Sequence, residues 1–159
     1  MPRTQPDHNH DQPNTEPDAE ASFLDNLVGY NARRAWLAIH DDFVREMTTH
    51  ALTQAEFSVL ATIKAKPQVN LRMLAASLAI APPNLATLLD GLEQRALLQR
   101  QRNQEDKRIQ TVKLTAAGSR LLRSAMQTVQ KLETAATSRL SDAERTLLNT
   151  LLKKIYLDA

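Results

Sequence analysis

The sequence predicts a mainly α-helical chain with one small β hairpin, an α+β fold in which helices carry nearly all of the core. Three observations lead there. Only three glycines, Gly29, Gly91 and Gly118, occur in 159 residues, while Leu and Ala are abundant. Most of the chain sets its apolar residues at three- and four-residue steps, the spacing of one helix face. One stretch, Ile109 to Leu114, alternates apolar and polar instead, as a half-buried strand does.

The elements follow in order. Residues 1–21 are rich in Pro, Asn, Gln, Asp and His, with almost nothing to bury, and read as a disordered acidic tail. His8 and His10 within it could hold a stray metal ion, but a solvated tail is the plainer reading. A helix is expected from about Ser22 to Thr48, on the stripe Phe23, Leu24, Leu27, Val28, Ala32, Ala35, Trp36, Ile39 and Phe43. Its length and lack of proline suit a helix that packs on a second subunit as well as on its own core. Thr53 with Glu56 three residues on forms a capping box that opens a helix from Gln54 to Lys64, and Pro67 closes that region. Asn70 caps a short helix with Leu71, Leu74, Ala75 and Leu78 on its inner face. After a break at Ile80-Ala81-Pro82-Pro83, a second helix over about 83–95 buries Leu85, Leu88, Leu89 and Leu92. Two helices with a tight break form a helix-turn-helix.

Two short strands come next, one around Gln99 and one at 109–114, with the polar run Arg102 to Lys107 as the hairpin tip. Thr115 caps a helix to about Ser138, with Leu121, Leu122, Ala125, Val129, Leu132 and Ala136 inward. Ser141 with Glu144 makes a second capping box for a last helix carrying Leu147, Leu148, Leu151, Leu152 and Ile155. Helix-turn-helix followed by a hairpin is a winged helix, flanked here by long helices. The expected segments are the tail 1–21, a long N-terminal helix 22–50, the winged helix-turn-helix lobe 51–114, and C-terminal helices 115–159.

Composition closes off several classes. The glycines are too far apart for a phosphate-cradling loop. There is no cysteine, so disulfides, thiolate metal sites and thiol switches are impossible. No apolar run approaches the roughly 18 residues of a membrane span. The N-terminus lacks an apolar signal core, so a cytoplasmic protein is the expectation. No catalytic triad order, carboxylate pair or cofactor motif is visible, so neither catalysis nor a cofactor is expected. His40, Asp41, Asp42 and His50 lack the spacing that sets two metal ligands on one helix face.

Net charge is +2, unevenly spread. The first 21 residues hold one arginine and five acids, so the rest carries +6. Arg95, Arg100, Arg102, Lys107, Arg108 and Lys113 face only Glu105 and Asp106 over 95–113. Such a basic segment suggests an anionic partner, nucleic acid first. A solvated charged loop is the alternative.

Three runs, Leu52 to Leu60, Leu85 to Leu98 and Arg100 to Gly118, together resemble the MarR family of winged-helix transcriptional regulators. The most specific part is Asp106-Lys107-Arg108 followed by Leu114-Thr115-Ala116-Ala117-Gly118. The resemblance covers about residues 25–155. It implies a homodimer with interleaved terminal helices, a palindromic double-stranded DNA operator, and a small-molecule effector held between each lobe and the dimerisation helices.

On a helical wheel, Pro83, Thr87, Asp90 and Gln94 lie opposite the leucines of the second helix, with Asn84, Ala86 and Gly91 at the flanks. Asn84 and Thr87 are the candidate base readers, since asparagine pairs with adenine and a threonine methyl packs on thymine. Many relatives carry arginine where this chain has Thr87 and Gly91, so more weight falls on the wing. Arg102, Lys107 and Arg108 would enter a minor groove, with Asp106 bracing Arg108. Arg72 and Arg100 are phosphate candidates. Asp90 faces outward and would repel phosphate unless an arginine of the wing pairs with it.

Without a thiol, a small molecule is the expected signal. Tyr30, Arg34, Trp36 and His40 on the first helix fit an aromatic acid: Arg34 for the carboxylate, Trp36 or Tyr30 for the ring, and His40 as donor. The bland reading makes them surface cations and core packing. The competing function is a winged-helix protein-interaction module or antirepressor, which the missing recognition arginines favour.

Overall fold

The computed structural model describes residues 23–102 and 110–157. It divides into two units between Leu37 and Ala38. The elements are α1 (Val28–Thr48), α2 (Gln54–Ala65), α3 (Leu71–Leu78), α4 (Pro82–Gln94), β1 (Leu98–Arg102), β2 (Gln110–Leu114), α5 (Ala116–Ala136) and α6 (Asp142–Tyr156). This is the mainly helical chain with a small hairpin that the sequence predicts.

In the first unit, helix α1 begins at Val28, not near Ser22. The amide of Asn31 donates to the carbonyls of Asp25 (2.6 Å) and Leu27 (2.9 Å). Leu27 donates its N–H to Leu24 three residues back, so the α ladder is interrupted there.

The second unit holds the core. Phe43 and Met47 from the end of α1, Val59, Leu60 and Ile63 from α2, Leu74 from α3, and Leu85, Leu89 and Leu92 from α4 close on Leu98, Val112, Leu122 and Ala125. Phe43 meets Phe57 edge-on, with ring centroids 5.8 Å apart. Both capping boxes form. Thr53 Oγ1 accepts from the N–H of Glu56 while the Glu56 carboxylate accepts from that of Thr53, and Ser141 with Glu144 repeats the pattern. Asn70 caps α3 through the N–H of Met73 (2.9 Å). Leu71 is the exception on that helix: it is 40% exposed and faces away from the core. On α5, Ala136 at the far end is also exposed, beyond the last buried residue, Ala125.

Helices α1, α3 and α4 all end in the same way, on an alanine in the left-handed region: Ala51 (φ 49°), Ala79 (φ 50°) and Ala96 (φ 54°). In each, the following residue donates to a carbonyl five back: Leu52 to Met47, Ile80 to Ala75 and Leu97 to Leu92. These are Schellman turns, whose pivot is normally glycine. Each drops an apolar residue onto or beside the core.

Strands β1 and β2 pair antiparallel, from Leu98 opposite Leu114 to Arg102 opposite Gln110. Thr111 is fully buried although its neighbour Val112 enters the core from the other face. The cause is a third short pairing: Thr111 bridges to Asn70, and Val112 donates to the Val69 carbonyl (3.2 Å). The simple alternation read from the sequence misses this cover.

Gly118 explains the Thr115-to-Gly118 motif physically. Thr115 Oγ1 donates to the Ala96 carbonyl (2.7 Å) and accepts from the Gly118 N–H (3.0 Å). That docks the first turn of α5 against the chain between α4 and β1. A Cβ at Gly118 would lie 1.8 Å from the Leu97 carbonyl oxygen, so only glycine fits. Among the described residues no single helix is long and apolar enough to cross a membrane.

Candidate nucleic-acid interface and effector pocket

The helix-turn-helix is built by α3 and α4, whose axes differ by 110° across the turn at Ala79–Ala81. Ala81 starts α4 without a side-chain cap, and Pro82 and Pro83 fill the first helical positions. Prolines bring no N–H, so the first turn offers few backbone donors, and their fixed φ sets the helix without a polar cap. Asn84 therefore does not cap the helix; its side chain stands exposed on the first turn.

Leu85, Leu89 and Leu92 are buried and Leu88 is half-buried, while Pro83, Asn84, Thr87, Asp90 and Gln94 are exposed. The wheel drawn from the sequence therefore holds. Thr87 Oγ1 donates to the Pro83 carbonyl within its own helix (3.2 Å), which leaves the methyl as its outward group. Arg72 is exposed on the first turn of α3, beside a shallow cavity of about 600 Å³ between α3 and the turn. Arg102 is exposed at the end of β1. Asp106, Lys107 and Arg108 lie outside the described residues.

Two cations of the basic stretch are paired with groups of the lobe itself. Arg100 Nη1 meets Glu93 Oε2 at 2.6 Å, and Nη2 meets Asp90 Oδ1 at 2.5 Å. Glu93 also accepts from the Arg100 backbone N–H (3.0 Å). The hydrogen bond to Asp90, reinforced by both negative charges, raises the guanidinium pKa above its ordinary value. The wing arginine that was needed to offset Asp90 is thus Arg100, and its fork is used on α4 carboxylates.

Arg95 spans from the end of α4 to the start of α2. Its Nη1 lies 3.0 Å from Glu56 Oε1, and its Nη2 donates to the Ala51 carbonyl at 2.7 Å. Glu56 meanwhile closes its capping box through its other oxygen, which accepts from the Thr53 N–H at 2.8 Å. One carboxylate therefore ties the N-terminus of α2 to the C-terminus of the candidate recognition helix. Nothing in the sequence separates Arg95 from a free surface cation, because its partner lies 39 residues away; for Arg100, the outward Asp90 calls for a wing arginine without saying which.

A cavity of about 610 Å³ opens between the end of α1, the start of α2 and the end of α3. His40, Val44, Met47, Thr53, Ser58 and Ile80 are among its lining residues. Of the four residues expected to hold an effector, His40 lines this cavity. Tyr30, Arg34 and Trp36 stand earlier on α1, Tyr30 half-buried, Arg34 and Trp36 exposed. Thr53, Gln54 and Ser58 were missed by sequence reading, where they look like ordinary cap and helix-surface residues.

Comparisons with known proteins agree with this architecture. The MarR family model matches residues 52–110, from the opening of α2 to the first residue of β2. The transcriptional regulator HosA of Escherichia coli O111:H- is 30% identical over 104 residues, 65% of this chain and 77% of its own. The transcriptional repressor CouR, solved bound to a 23-mer DNA duplex, is 35% identical with a TM-score of 0.76, over 83% of this chain and 94% of that one. BpsR of Bordetella bronchiseptica, solved in a study of DNA-binding control by 6-hydroxynicotinic acid, is 25% identical with a TM-score of 0.75, over 84% and 96%. CouR has also been solved with p-coumaroyl-CoA. With its winged helix, its matched central lobe and these relatives, the chain belongs to the MarR family of winged-helix transcriptional regulators.

Proposed function

We propose that the protein is a DNA-binding transcriptional repressor that works in the cytoplasm as a homodimer, without catalytic activity or cofactor. Two winged-helix lobes engage a palindromic operator, and a small effector releases it. The observation that carries this reading is the solvent-facing row Pro83, Asn84 and Thr87 at the N-terminal end of α4, where a recognition helix meets base edges. Asn84 and the Thr87 methyl read bases. Arg72 and Arg102 hold phosphate or the minor-groove rim, and Lys107 with Arg108, braced by Asp106, supplies the wing tip.

The homodimer is supported by apolar side chains left at the surface. Phe23, Val28, Leu147, Leu151 and Ile155 are each 48% exposed or more, and such patches mark association surfaces. The effector is an aromatic acid or a derivative of one, in keeping with the molecules that accompany CouR and BpsR. It enters the cavity beside His40 and holds the lobes at a spacing that no longer fits half-sites about 34 Å apart.

Fluorescence anisotropy against the duplex upstream of the protein's own gene, beside a scrambled duplex, tests the reading. Tight, salt-dependent binding with preference for the native duplex is expected. No binding to any duplex at low salt overturns it. The protein-interaction reading is favoured by α4 itself, which carries Asp90 and Glu93 and no cation. Arg108→Glu separates the two, since duplex affinity falls only in a DNA reader.

A further inference from the structure

The Arg100 guanidinium is divided between two carboxylates that differ in position. Glu93 is half-buried and grips Arg100 twice, at the backbone N–H (3.0 Å) and at Nη1 (2.6 Å). Asp90 takes Nη2 alone, with its side chain 56% exposed. It lies on the outward row of α4 with Thr87 and Gln94. Glu93 thus fixes where the guanidinium sits, while Asp90 occupies the edge turned to the face that would meet DNA.

A phosphate and a carboxylate bind the same guanidinium fork in the same manner. Arg100 is therefore a cation already placed at the candidate DNA face, with its outer edge taken by a group of the protein. We propose that Asp90 is an affinity-setting residue of the winged helix: an internal competitor that keeps Arg100 off the phosphate backbone. The proposal rests on the DNA-binding reading. In it, the chain carries one latent phosphate contact, held closed by one carboxylate. Removing that carboxylate while keeping its shape opens Nη2 to phosphate, and Glu93 keeps the guanidinium in register.

The test is a salt series on a short random-sequence duplex, which needs no operator. Asp90→Asn is expected to tighten binding and to steepen the log–log salt slope by about 0.9, the increment for one further phosphate on B-DNA. The gain over wild type then shrinks about 3.5-fold between roughly 50 and 200 mM salt. In the wild-type background Arg100→Gln leaves the slope unchanged, because Arg100 touches no phosphate there. In the Asp90→Asn background Arg100→Gln abolishes the gain, and Arg100→Lys, which keeps the cation, retains it. Thermal unfolding of each variant reports whether its lobe is intact.

Two results overturn the proposal. One is an Asp90→Asn slope equal to that of wild type. The other is a gain that survives Arg100→Gln, which would mean that Asp90 acts by its own repulsion of DNA. Wild-type protein that binds no duplex at low salt instead removes the DNA-binding reading, and the proposal falls with it. The wild-type control therefore distinguishes the two failures.

Discussion

Helices α2 and α6 open with the same device and end in opposite circumstances. Each starts on a hydroxyl N-cap with glutamate three residues on, and in each the reciprocal bonds form. Helix α2 then buries Val59, Leu60 and Ile63 at the centre of the lobe. Helix α6 buries none of its residues, although Leu147, Leu148, Leu151, Leu152 and Ile155 form as clean an apolar stripe. A capping box says where a helix begins. What covers the helix depends on the rest of the assembly, and among the described residues nothing buries the stripe of α6. An apolar stripe of this kind costs solubility unless a second surface meets it.

The largest effect is expected where that comparison is broken outright. Leu147→Asp with Leu151→Asp puts two charges on the exposed stripe and leaves the core residues alone. Light scattering should give wild type a mass of twice the 17.8 kDa chain and the double variant the mass of one, with duplex binding lost. A wild type that stays at the mass of one chain at tens of micromolar sinks the dimer reading. Gly118→Ala comes next. It strikes the lobe side, where a methyl group would sit 1.8 Å from the Leu97 carbonyl oxygen. The start of α5 must move off the α4–β1 junction, at a cost of about 2–3 kcal/mol in chemical denaturation. A loss under about 0.5 kcal/mol, the range of an indifferent surface change, would show that the close approach is not required.

The two boxes can be compared directly. Glu56→Ala removes the reciprocal bond to Thr53 and also releases Arg95 from its carboxylate, so about 1.5–2 kcal/mol is expected. Ser141→Ala removes the cap and the hydroxyl's bond to Glu144 but no ion pair, and should cost about 1 kcal/mol. The Ser141 hydroxyl and N–H hold the Glu144 carboxyl below its ordinary value. A carboxyl lowered in the folded state contributes above its unfolded pKa, about 4.3, and loses that contribution as pH falls through the lower folded value. The gap between wild type and Ser141→Ala should therefore narrow in acid. A Glu56→Ala cost under about 0.5 kcal/mol at neutral pH would show that neither the reciprocal bond nor Arg95 stabilises the start of α2.

Both boxes, the Asn70 and Thr115 caps, the proline start of α4 and its leucine face were legible because each is written within a few residues of sequence. What was not legible depends on chain segments meeting at long range. The cover over Thr111 comes from Asn70, 41 positions earlier. The pairing of Arg95 and Arg100 depends on carboxylates placed by other elements. Leu71 fits the helical period yet faces outward, since the pattern of an eight-residue helix fixes its face only loosely. The same limit applies to the cavity beside His40. The sequence singles out His40 as a ligand donor among residues of one helix, whereas Thr53, Ser58 and Ile80 reach the cavity from other elements.

The smallest expected effect concerns the turns that end three of the helices, where alanine stands in place of glycine. Ala79 has φ 50° and ψ 38°, a region in which a Cβ crowds its own carbonyl at a cost of roughly 1 kcal/mol or more. Glycine would relieve that crowding but would loosen the unfolded chain, which returns part of the gain. Ala79→Gly should therefore stabilise the lobe by about 0.5–1 kcal/mol. Its hydrogen bonds, from the Ala79 N–H to Ala75 and Ala76 and from Ile80 to Ala75, would be kept. Denaturant midpoints of wild type and variant decide it. A destabilised variant would mean that the stiffness of alanine at this turn contributes more than its strain costs, and that the 110° angle between α3 and α4 is held by the pivot as well as by the core beneath it.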